Sequence, residues 1–202
     1  MLSASCRQEV EANPFDMEKI PSQTVEDMAV VQSENGAVKM RMTAPLLQHF
    51  SYVKDGRAQE YDYYPEGISV KAYTADGALE TTVTADEAKH ITTRGSETWM
   101  AYGNVVVTNL IKEEKMESDT MYWDQDKKKI YTNCYVRITS HNGMMQGYGM
   151  ESDERARNSE ILKPFDSYSR ISDSTDVYVD SLNFIGPKKK PFARKDSVLT
   201  DF

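Results

Sequence analysis

The chain is poor in the residue types that most often carry metal, redox or catalytic chemistry. Its 202 residues include two cysteines, two tryptophans and three histidines. Cys6 and Cys134 stand far apart with no C-x-x-C, which excludes a zinc ribbon or a thioredoxin-type motif at the level of sequence. His49, His90 and His141 are scattered, and none lies beside a cysteine. No apolar run approaches the roughly 20 residues of a membrane helix; Val105-Val106-Val107 is typical of what there is. Positive charge is in deficit, with 24 Lys and Arg against 32 Asp and Glu and a net charge of −8. Duplex nucleic acid rewards clustered cations, so no nucleic-acid partner is expected. There is no G-x-S-x-G, H-E-x-x-H or Gly-rich phosphate loop. Gly147-Tyr148-Gly149 opens like a dinucleotide fingerprint, but position 152 is Ser. Asp124-x-Asp126 opens like a calcium loop and fails at Lys128 and Lys129. The chain is therefore read as a non-enzyme, with no catalytic residue, no metal and no cofactor.

What the chain does have is strand chemistry. Tyrosine reaches 12 and methionine 11, and Val, Thr and Tyr favour the pleated, half-buried surface of a sheet. Apolar and polar residues alternate in 38–43, 67–73 and 79–85, and strand-like runs continue through 99–110, 116–123, 129–139 and 144–150. Asn35-Gly36, Asp55-Gly56, Asp76-Gly77 and Asn142-Gly143 punctuate these runs, and such dipeptides supply the positive φ angles of tight hairpins. A weak repeat of 34 residues links Thr84-Ala85-Asp86, Ser118-Asp119-Thr120 and Ser152-Asp153-Glu154, with Val-rich strands between them. One hairpin cannot bury its own apolar face, whereas stacked hairpins can. The expected fold is all-β, an elongated twisted sheet pair of antiparallel strands built from repeated hairpin units, with a polar C-terminal tail.

Three segments follow from composition. Residues 1–23 read as a lipoprotein-type N-terminus and tether: Leu2-Ser3-Ala4-Ser5 places small residues before Cys6, the pattern that lipidation of a cysteine needs. The apolar part of such a signal is missing from the sequence. Residues 24–153 carry the β pattern. Residues 154–202 are rich in Ser, Asp and Lys and read as a polar tail, partly disordered, with a short helix over 151–162 and an edge strand over 176–180.

Period 2 sorts the apolar residues into faces. Ile130, Thr132, Cys134, Val136 and Ile138 share one face of their strand. Trp99, Val105 and Val107 share a face of another, and Met121 and Trp123 of a third. Two readings fit this pattern. The faces form a plain sandwich core, or they line a groove between two sheets that takes acyl chains. The candidate groove residues are Trp99, Val105, Val107, Met121, Trp123, Ile130, Val136 and Ile138. A β-rich lipoprotein that binds a protein partner on its surface is the alternative reading of the whole chain.

The order Gly103-Asn104-Val105-Val106-Val107, then Met116-Glu117-Ser118-Asp119-Thr120-Met121-Tyr122-Trp123-Asp124, then Lys129-Ile130-Tyr131-Thr132, Val136-Arg137-Ile138 and Gly147-Tyr148-Gly149 resembles the LptC-type periplasmic component of the lipopolysaccharide-export ABC transporter. That family shares its strand repeat with OstA-like proteins. The resemblance implies a twisted, boat-shaped β-jelly-roll over 24–153 that holds lipopolysaccharide acyl chains. It implies relay from inner-membrane permease subunits to an LptA-type periplasmic bridge protein through edge-strand pairing. It places the chain on the periplasmic side of a Gram-negative envelope. A lipid anchor at Cys6 would replace the transmembrane helix with which many members begin.

Overall fold

The computed structural model describes residues 20–54, 56–93, 96–172 and 175–179. Among these, thirteen strands form one antiparallel sheet. They are β1 (Gln23–Glu34), β2 (Ala37–Lys54), β3 (Arg57–Tyr64), β4 (Ile68–Tyr73), β5 (Leu79–Ala85), β6 (Glu87–Thr93) and β7 (Ser96–Asn109), followed by β8 (Glu114–Asp124), β9 (Lys129–Ser140), β10 (Gly143–Asp153), β11 (Glu160–Pro164), β12 (Ser167–Ser172) and β13 (Thr175–Val179). The all-β jelly-roll expected from the sequence is the fold observed. The punctuating dipeptides fall at the β1–β2, β2–β3, β4–β5 and β9–β10 connections. At the first of these Asn35 and Gly36 both take positive φ, 51° and 78°, as a two-residue hairpin loop requires.

The sheet folds into two layers along a line of corners. The long strands β2 and β7 each lie in both layers. The first part of β2 pairs with β4 and its last part with β3. The first half of β7 pairs with β6 and its last residues with β5. The corner is built from residues that break a ladder. Asp86 separates β5 from β6, and its backbone N–H donates to Gly103 O at 2.9 Å. Register shifts follow at 102–105 in β7, 118–122 in β8 and 148–150 in β10. Two copies of the 34-residue repeat mark this line: Thr84-Ala85-Asp86 ends β5, and Ser118-Asp119-Thr120 bends β8. At the second, Ser118 Oγ donates to Tyr135 O at 2.7 Å and Thr132 Oγ1 to Thr120 O at 2.6 Å. Small polar side chains thus satisfy the backbone where the ladder fails.

Beyond 153 the chain continues in the same sheet. A turn and β11 stand where a helix over 151–162 was expected, and Ile161 and Phe165 are buried. β13 forms an edge next to β12, as the alternation of 176–180 implied. β1, paired with β2, is the edge strand near the other end.

Candidate functional site

Between the layers lies one continuous apolar face. Met42 and Ala44 of β2, Ile68 of β4, Ala85 of β5 and Ala88 of β6 pack with Val105 and Val107 of β7, and the face runs on to Met150 of β10 and Ile161 of β11. All eight residues singled out from the sequence reach it. Val105, Val107, Met121, Ile130 and Val136 are buried in the cluster, and Trp99, Trp123 and Ile138 pack against it. The sequence reading missed Met116, which is fully buried on the same face. The bend at Ser118–Thr120 is the reason: Met116 and Ser118 point inward before it, Met121 and Trp123 after it, so period 2 counted from Met121 puts Met116 outside. Cys134 is half-buried and free, and Cys6 lies outside the described residues.

Two tryptophans sit opposite each other on this face, Trp99 of β7 directly across from Trp123 of β8. The Trp99 ring is stacked between neighbours, 4.3 Å from the His90 ring centroid and 5.6 Å from that of Tyr64. The indole Nε1 of each tryptophan is buried, and neither has an acceptor among the described residues. Other buried polar side chains do find partners. Gln146 accepts from Tyr135 Oη at 2.7 Å, and Asn109 donates to Arg155 O at 3.2 Å.

Beside Trp99 the face ends in ionisable groups. One carboxylate oxygen of Asp62 lies 2.7 Å from His49 Nδ1, and the other lies 3.5 Å from His90 Nδ1. His90 Nε2 donates to Glu97 Oε1 at 2.9 Å in its charged form. His49, Asp62, His90 and Glu60 line a small pocket of about 150 Å³. The hydrogen bond from His90 is the largest influence on Asp62; with His49 it outweighs burial and holds the carboxyl below its usual range. Burial opposes charge on His90, but the Asp62 and Glu97 carboxylates outweigh it and raise the ring's pKa. The described residues contain no cluster of metal-ligating side chains arranged to hold an ion.

The rim opposite the corners is closed by the turn after β10. Glu80 of β5 is 1% exposed and receives Arg157 Nε at 2.7 Å and Arg155 Nη1 at 3.3 Å. Ala156 of the same turn is fully buried. None of these contacts was visible from the sequence, because they join residues more than 70 positions apart.

The described residues form a two-layered antiparallel β-jelly-roll with a continuous apolar interior. The family model described as lipopolysaccharide-assembly, LptC-related, matches residues 4–167, and the chain belongs to that family. The family is one of transport and assembly components, and membership gives the chain a role in lipopolysaccharide transport at the cell envelope. A search of curated proteins finds no match. No helix among the described residues is long and apolar enough to cross a membrane.

Proposed function

We propose that the chain binds the acyl chains of lipopolysaccharide against the inner face and relays the molecule from inner-membrane permease subunits to a periplasmic bridge protein. The observation that carries this reading is the continuity of the apolar face from β2 to β11. A lipid with several acyl chains needs a long apolar surface shielded from water, with room for its sugars outside. Among the described residues the outer edges of β1 and β13 have no strand partner, and they are where the permease and the bridge would add strands. Lipidation of Cys6 supplies the membrane tether. The reaction that drives transport resides in a partner, and the chain itself needs no catalytic group.

Photo-crosslinking in cells tests this. A photoreactive residue replaces Val105, Val107, Val136 or Ile138 in turn, with Lys189 as control. Lipopolysaccharide adducts at the strand positions that require ATP, and none at 189, are expected. Folded, exported protein with no lipid adduct at any strand position would leave a plain sandwich core and favour a partner-binding lipoprotein.

A further inference from the structure

The unpaired indole donors call for an explanation. Among the described residues Trp99 Nε1 and Trp123 Nε1 are the buried side-chain nitrogen or oxygen atoms without a hydrogen-bond partner. A buried donor without an acceptor is penalised, and native proteins rarely leave one unexplained. Here two occur as a directly opposed cross-strand pair. Elsewhere the same interior is careful with polar groups: Thr132, Gln146, Asn109 and Glu80 are buried and all bonded. Burial alone does not explain the choice of residue, because phenylalanine fills such a site and brings no N–H. The surroundings supply ring faces and apolar groups: Tyr64 and His90 stack near Trp99, and Ile130 stands across from Trp123.

We infer that Trp99 and Trp123 are ligand-directed donors, whose indole N–H groups bond oxygen atoms carried by the acyl chains of a bound lipid. The chemical class is then an acyl lipid with ester, amide or hydroxyl oxygens at or near the chains, in preference to an amphiphile with a plain alkyl tail. This rests on the proposal that lipid enters the inner face. It adds a source of selectivity that apolar contact lacks, since a hydrophobic surface discriminates poorly between chains of equal length. The two donors act as a pair because the rung that joins β7 to β8 fixes their spacing.

The chain's two tryptophans make the test direct. Full-length protein labelled with 15N at the indole nitrogens has two indole resonances. It is titrated with lipid A, with dodecanoyl sucrose and with dodecyl maltoside; the last two share chain length and a disaccharide head, but only the former has an ester carbonyl. Both indole protons are expected to move downfield with lipid A and dodecanoyl sucrose and to stay near their free positions with dodecyl maltoside. In parallel, Trp99→Phe and Trp123→Phe are each expected to weaken dodecanoyl sucrose binding roughly two- to tenfold, the usual worth of one hydrogen bond, and to leave dodecyl maltoside binding unchanged. Equal losses for both surfactants overturn the inference, because packing alone explains them. So do indole protons already at hydrogen-bonded positions in the free protein. Lipid adducts at Val136 with unmoved indole resonances overturn the inference and leave the lipid-binding reading standing. Absence of adducts at Val105, Val107, Val136 and Ile138 alike overturns both.

Discussion

The side-chain amide of Asn104 donates to the Asp86 carboxylate at 2.6 Å, locking the β7 corner onto the break between β5 and β6. Gly103, just before it, has φ of 72°, and a Cβ there would stand 2.9 Å from the Asp86 side chain. Gly103→Ala is therefore expected to destabilise the protein by about 1–3 kcal/mol, combining left-handed strain with a clash. Gly36, also at positive φ but with open space around it, lacks the clash. Urea denaturation of Gly103→Ala and Gly36→Ala measures the difference, and equal losses would mean that the corner is looser than described.

Glu80 is buried while its partners Arg155 and Arg157 are partly exposed. Removing the acid leaves Thr81 and Asn109 to hold the closing turn. Glu80→Ala is expected to lower stability by about 2–4 kcal/mol. Arg157→Ala, with Arg155 still in place and its own side chain half in water, is expected to lose about 1 kcal/mol. Thermal melts of the two variants check this order.

The His90–Asp62 pair makes stability depend on pH in a defined direction. A histidine whose pKa is raised by folding stabilises the native state fully below its unfolded value near 6.5, and the contribution fades as pH rises through the higher folded value. The lowered Asp62 contributes above its unfolded value near 3.8, and that share fades as pH falls through the folded value. Denaturation midpoints of the wild type are expected to decline from pH 6 to pH 8. Asp62→Asn is expected to flatten that slope, and an unchanged slope would assign it to other groups.

Met116 is fully buried and Met145 is 37% exposed. Met116→Ala is expected to lose about 2–5 kcal/mol, as in other core truncations, while Met145→Ala stays within about 0.5 kcal/mol. Equilibrium unfolding of both variants tests whether the inward face of β8 changes parity at Ser118–Thr120.

Much of the architecture was legible in local chemistry. Asn-Gly and Asp-Gly marked hairpins because few other residues tolerate their φ angles, and alternation placed Val105, Val107 and Val136 on the inner face. Besides Met116 and the Glu80 clasp, two features escaped. β6 and β11 lack clean alternation: Glu87–Thr93 and Glu160–Pro164 are strands because neighbouring ladders recruit them, a tertiary effect stronger than their own propensity. The His49–Asp62–His90 cluster was equally hidden. Its members come from three strands and meet only through the β2–β3 and β3–β6 registers, which no local spacing encodes.

The line of corners gives the molecule the mechanics of a creased sheet. The strands β2 and β7 run through the crease, so the layers can part by bending at that line while the ladders on either side keep their hydrogen bonds. What resists opening is then apolar contact between the layers and the clasp from Glu80 to Arg155 and Arg157 at the free rim. Apolar contact is replaceable by any guest of like polarity, so an entering hydrocarbon substitutes for the closed interface instead of breaking it. If lipid enters as proposed, the interior would be exchanged for cargo at little elastic expense, and the clasp would set how wide the crease opens.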